Sequence, residues 1–176
     1  MSDAAPEWAI AHWLNTHAPI TLASLRGRAV LAVAFQMLCP GCVSQGLPQA
    51  QRARAMFAEG DLAVIGLHTV FEHHEAQGSA AALSAFLHEY RIHFPVGIDA
   101  QDAHGPITMR AYGMRGTPTT LLYDRAGRLR LHEFGHVEDM RLGAAIMAVL
   151  GDGRATAGGG GDGEAAAEVC RPEGCT

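Results

Sequence analysis

Lysine is absent: all 13 basic residues are arginine, and 18 acidic residues leave a formal net charge of -5. No basic surface therefore stands ready to collect phosphates, and nucleic acid is not an expected partner. Long apolar runs are missing as well. The longest, Ala29–Phe35 and 144–150, are seven residues each, against the ~20 that a membrane-crossing helix needs. No membrane partner is expected. The stretch from Met1 to Glu7 has no basic residue and no apolar segment, so it predicts no secretory signal and a cytoplasmic location. What remains is a chain of 176 residues, 48% hydrophobic and 18% charged. That is enough apolar material for one globular domain of about 150 residues plus a short remainder.

Cysteine is scarce, and its placement is the most informative feature of the sequence. The four fall as Cys39-Pro-Gly-Cys42 inside the domain and Cys170-Arg-Pro-Glu-Gly-Cys175 near the C-terminus. In a reducing compartment such pairs are more often redox-active or metal-binding than structural.

The periodicities describe an α/β chain. Ala29–Phe35 and 62–67 are continuous apolar runs of strand length, suited to strands covered on both faces. Between them Val43, Leu47, Ala50, Ala53 and Phe57 recur at helical spacing, which predicts a helix over 40–58 with a kink at Pro48. Such a strand–helix–strand unit has parallel strands. A His- and Glu-rich loop over 68–78 leads to a helix over 80–91, a strand over 94–98 and a short helix over 106–112. Thr119–Tyr123 and 128–132 flank the turn Asp124-Arg-Ala-Gly127 as a hairpin. A last helix over 137–150 should end at Gly151. The following segment, 153–163, is too rich in glycine to bury much surface, which predicts a flexible tail over 152–176 after a domain over 1–151.

Cys39 stands where strand passes into helix, with Pro40 at the first helical position, where its fixed φ is favourable. A thiol there meets unpaired backbone N–H groups and the positive end of the helix dipole, both of which stabilise a thiolate. Cys39 is the expected attacking sulfur. Cys42, one turn along the same face, is placed to resolve a mixed disulfide. The competing readings are two core thiols or half of a zinc site, the latter needing a second ligand pair nearby.

A strand running into C-x-x-C on a proline-containing helix, then an isolated Thr-Pro ahead of a hairpin and last helix, resembles the thioredoxin-like fold. The closer resemblance is to TlpA-like and redoxin-type thiol oxidoreductases with a central βα insert. Trp13-Leu-Asn, Leu22-Ala-Ser-Leu-Arg-Gly27 and Tyr112-Gly-Met-Arg-Gly-Thr-Pro-Thr-Thr120 resemble that group's lead-in and proline loop over residues 8–151. The resemblance implies a central mixed sheet flanked by helices, with cis Pro118 facing the cysteines and Thr117 offering its backbone to a partner peptide. An ordinary trans proline turn is the alternative. It further implies thiol–disulfide exchange with a protein or low-molecular-weight partner and no organic cofactor. Departures from the family pattern are specific. Leu38 stands where Trp is common, and Val33 where many relatives bury an acid. Glu72, just after the second core strand, is then the candidate proton relay, unless it is simply a solvated loop acid. Pro48 follows Cys42 by six residues where the family's proline usually follows by five.

Two other activities remain open at this level. Cys39-Pro-Gly-Cys42-Val resembles the T-P-G-C-T peroxidatic stretch of some peroxiredoxins, with Cys42 as the peroxidatic sulfur, although Cys39 and Phe35 occupy that pattern's Thr and Pro positions. A metal-binding or redox-sensing module without turnover is the other. The proline beside the attacking Cys is the arrangement of glutaredoxin-like and DsbA-like sites, so a potential less reducing than thioredoxin's, about -270 mV, is expected. A tail of ~18 residues spans about 23 Å, comparable to the ~15 Å radius of gyration of a 150-residue domain. Cys170 and Cys175 could therefore reach Cys39–Cys42 as a shuttle pair, grip a soft metal, or be dispensable. Among ten histidines, His68, His73 and His74 cluster without a recognised metal spacing and are expected to be solvated or at the core edge. Trp8, Trp13 and the methionines are expected to serve packing.

Overall fold

Alternate residues of Ala29–Phe35 face two different cores, which is why the run is apolar at every position. Leu31, Val33 and Phe35 point into one cluster, and Val30, Ala32 and Ala34 into the other. The computed structural model describes residues 5–152. The segment 153–163 and the Cys170–Cys175 pair lie outside the described residues.

Six strands build one mixed sheet: β1 (Ile10–Leu14), β2 (Ala29–Phe35), β3 (Leu62–His68), β4 (Val96–Asp99), β7 (Thr119–Tyr123) and β8 (Leu129–Phe134), in the order β1-β4-β3-β2-β7-β8. β2, β3 and β4 run parallel; β1, β7 and β8 pair antiparallel to their neighbours. A two-residue pair, β5 (Gln101–Asp102) and β6 (Gly105–Pro106), stands apart. One face is covered by α1 (Leu47–Met56), α3 (Ala80–Glu89) and α5 (Asp139–Asp152), which bury Leu47, Ala50, Leu83, Leu87, Leu142, Ile146 and Val149 there. The other face packs on Trp8, Leu22, Leu25 and Tyr112, with α4 (Ile107–Ala111) nearby in sequence. Trp8 Nε1 donates to the buried Tyr123 hydroxyl at 3.1 Å, and Trp13 is half-buried against the same cluster.

The first helix differs from the predicted one. Residues 40–41 begin it, Cys42–Gly46 form a π-helical turn, and α1 follows. A π turn accommodates one extra residue, and Pro48 stands two residues after it, inside a helix that is continuous from residue 40. The one-residue offset of Pro48 is thereby absorbed within the helix. The helix ends at Met56 because Phe57 turns extended (φ -108, ψ 143).

Elsewhere two local readings are corrected. Gly151 does not end the last helix, which runs through it to Asp152. The stretch after β3 is not all loop, since α2 (His74–Gln77) forms one turn in it. β1 adds a strand that the periodicities do not place, because its five residues gain strand geometry from pairing with β4.

Candidate active site

β2 ends at Phe35, and Gln36, Met37 and Leu38 carry the chain to the first cysteine. Cys39 N–H donates to Gln36 O at 3.3 Å, and Cys39 O accepts from Cys42 N–H and Val43 N–H, both at 3.1 Å. The helix thus starts on Cys39. Its Sγ accepts a hydrogen bond from Cys42 N–H at 3.2 Å and lies 3.4 Å from Thr117 O. Cys39 is half-buried between exposed Leu38 and exposed Pro40, whereas Cys42 is 0% exposed. The two are joined as a disulfide with a Cα–Cα distance of 5.2 Å.

Thr117 and Pro118 lie on the loop before β7, the strand that pairs directly with β2. Their peptide bond is cis. Gly46 of the first helix makes room for the proline ring, since a Cβ there would stand 3.0 Å from Pro118 Cβ, whereas one on Gly41 would meet Pro118 Cδ at an ordinary 3.4 Å. The loop is closed by Thr119 Oγ1 donating to Gly116 O at 2.7 Å and by Gly135 N–H donating to Pro118 O at 2.8 Å. Beside it the Arg115 guanidinium lies 5.2 Å over the Phe134 ring.

Glu72 is exposed on the segment after β3, with one carboxylate oxygen accepting from Gln36 Nε2 at 3.3 Å. Gln36, not a cysteine, is its side-chain partner among the described residues. Val33, in place of the family's buried acid, is core. Sequence reasoning missed three residues here. Gly46 carries no local signal, because its need arises from Pro118. Gln36 could have been noticed as the polar residue that ends an apolar strand next to the motif. Gln77, the third, is fully buried on α2, and nothing in its neighbours marks it.

The three clustered histidines part company. His73 and His74 are exposed, but His68 is the last residue of β3 and 0% exposed, with neither ring nitrogen hydrogen-bonded. Its ring lies 5.3 Å from that of Phe35. Burial lowers its pKa from 6.5 to about 4. His68 is therefore a neutral core residue, neither solvated nor at the core edge. Among the described residues no group of three or more His, Cys, Asp or Glu is arranged to hold a metal ion. A cavity of about 110 Å³ between α1 and α5 is lined by Ala53, Met56, Phe57, Leu142 and Ile146 and touches none of the site residues.

The sequence profile of the AhpC/TSA family matches residues 1–132. Among solved structures, a thioredoxin-like superfamily protein is 57% identical, covering 84% of this chain and 96% of that one with a TM-score of 0.82. A thiol-disulfide isomerase from Corynebacterium glutamicum is 42% identical, covering 85% and 98% with a TM-score of 0.79. A putative thiol:disulfide interchange protein DsbE from Chlorobium tepidum, 21% identical over 84% and 99%, shares the fold with a TM-score of 0.64. No curated protein sequence matches significantly. The mixed sheet and these neighbours make the fold thioredoxin-like.

Proposed function

The chain belongs to the AhpC/TSA family, and from that membership we propose that it exchanges electrons with protein or low-molecular-weight disulfides through Cys39 and Cys42. The observation that carries this reading is the asymmetry of the pair. Cys39 is only half-buried, with its Sγ beside a backbone N–H donor, whereas Cys42 is fully buried. In the reducing direction the Cys39 thiolate attacks a partner disulfide, forming a mixed disulfide and releasing one partner thiolate, which takes a proton. The Cys42 thiolate then attacks Cys39 Sγ, releasing the second partner thiol and leaving the Cys39–Cys42 disulfide. Two electrons and two protons pass to the partner, and the opposite direction retraces the same steps. Thr117, whose carbonyl flanks Cys39 Sγ, and Pro118 shape the groove in which the partner lies. Glu72, at the rim and held by Gln36, is assigned to proton transfer. Cys170 and Cys175 are assigned as a shuttle pair, and the working compartment is taken as the cytoplasm. No described helix is long and apolar enough to cross a membrane.

The test is a redox titration in thiol–disulfide buffers, with free thiols alkylated and mapped cysteine by cysteine. Cycling of Cys39–Cys42 as one two-electron couple between about -120 and -300 mV supports the reading. Thiols that stay free throughout, or that alkylate only after chelation, overturn it. The family match favours peroxide as a second reading, but the sulfur that would react, Cys42, is fully buried, and Cys39 stands where the peroxidatic threonine belongs.

A further inference from the structure

Two carboxamides, Gln36 and Gln77, are 1% and 0% exposed beside the site. Burying a polar side chain is unfavourable unless its hydrogen bonds are remade, and here they are. Gln77 Nε2 donates to Gln36 Oε1 at 3.1 Å and to Glu72 O at 2.9 Å, while Gln77 Oε1 accepts from Leu38 N–H at 3.2 Å. Gln36 Oε1 also accepts from Phe71 N–H at 3.2 Å, and Gln36 Nε2 donates to Glu72. The network ties the turn before Cys39 to the segment after β3 and to α2, elements far apart in the chain.

Leu38 directly precedes the attacking cysteine, and its side chain is 56% exposed. Side-chain packing therefore does little to hold this residue. Its backbone N–H is held instead, by Gln77 Oε1. On the other side of the same turn Gln36 O accepts from Cys39 N–H. The peptide groups that lead into Cys39 are thus clamped by one buried amide pair, which fixes where Sγ lies relative to Cys42 N–H.

We infer that Gln77, acting with Gln36, is a positioning residue that sets the reactivity of Cys39. This inference rests on the exchange reading above and deepens it. With the clamp in place, the Cys39 thiolate is held on the Cys42 N–H and is the stronger nucleophile at neutral pH. Without it, the turn carrying Leu38 relaxes and that hydrogen bond is weakened. Hydrogen bonds to a charged acceptor are the strong class, so the reduced state loses stability relative to the disulfide.

The test compares full-length wild type and Gln77→Met, a substitution of similar length that removes every polar contact. Alkylation of Cys39 by iodoacetamide is followed against pH, and the midpoint is measured against glutathione. The wild type must first cycle. If it does not, the exchange reading fails and the clamp has nothing to act on. Given a cycling wild type, Q77M is expected to alkylate about tenfold more slowly at pH 6, with the thiolate titration about one unit higher. Its midpoint moves about 30 mV more negative, the equivalent of a tenfold change for two electrons. A variant that melts at a lower temperature but keeps the wild-type Cys39 titration and midpoint overturns the inference, because a purely structural role would do just that. Should Q77M fail to fold, amide hydrogen exchange of the wild type decides. A slow Leu38 N–H despite its exposed side chain supports the clamp, and exchange at the rate of an open turn overturns it.

Discussion

Cys42 lies beneath the first helical turn, and Cys39 Sγ sits at its mouth, within reach of Cys42 N–H and Thr117 O. The two serine variants should therefore fail differently. Cys39→Ser is expected to abolish exchange, whereas Cys42→Ser should still attack and accumulate a mixed disulfide on Cys39, detected as a partner-mass adduct that thiols release. An adduct formed by C39S instead would reverse the assignment. At the same scale His68 makes the fold acid-sensitive. Its native pKa of about 4 is below its ordinary 6.5, so over that interval the native state binds fewer protons than the unfolded one. Stability is fully present above 6.5 and is lost as pH falls towards 4, by about 3 kcal/mol at 1.36 kcal/mol per unit. In His68→Leu that part of the acid limb of a denaturation-against-pH curve should flatten. An unchanged limb would assign the loss to other groups.

The first helix shows how an element can be shaped by a neighbour it does not touch in sequence. Gly46 closes the π turn and faces Pro118 across the groove. Its backbone is ordinary helix (φ -60), so no conformational freedom is required there; only space is. Gly46→Val would drive a branched side chain towards Pro118 and Val33 and is expected to cost about 1–3 kcal/mol by overpacking. Because the contact is with the proline loop, exchange with a protein disulfide should slow beyond what the lower melting temperature explains. A variant that loses stability but keeps its rate would separate the loop's position from its function. Elements whose signals lie within a few residues were legible: β2 and β7 fall on their predicted residues. The hairpin turn also forms, with Asp124 Oδ1 accepting from Ala126 N–H at 2.9 Å and Arg128 N–H at 3.0 Å. β1 was not legible, because an edge strand of five residues exists through the partner it pairs with.

At the scale of the whole molecule, one cysteine pair lies inside the described domain and the other, Cys170 and Cys175, lies outside the described residues. If the second pair shuttles electrons, replacing both with serine should slow turnover with a large protein disulfide while leaving a small disulfide unaffected. Equal rates with both substrates, matching the wild type, would make the pair dispensable to exchange. Legible from residue order were the strand–helix–strand core, the location of Cys39 and Cys42 at a helix start and the acidic balance of the charge. Each of these depends on spacing between near neighbours, which periodicity and capping chemistry encode directly. The remaining contacts arise only once the sheet has assembled. Thr117 meets Cys39 across 78 positions of sequence, Gln77 reaches Leu38 across 39, and His68 is sealed between Phe35 and Ile98 by the pairing of β3 with both neighbours. Those contacts depend on which faces meet when the sheet closes, and no local pattern of residues carries that information.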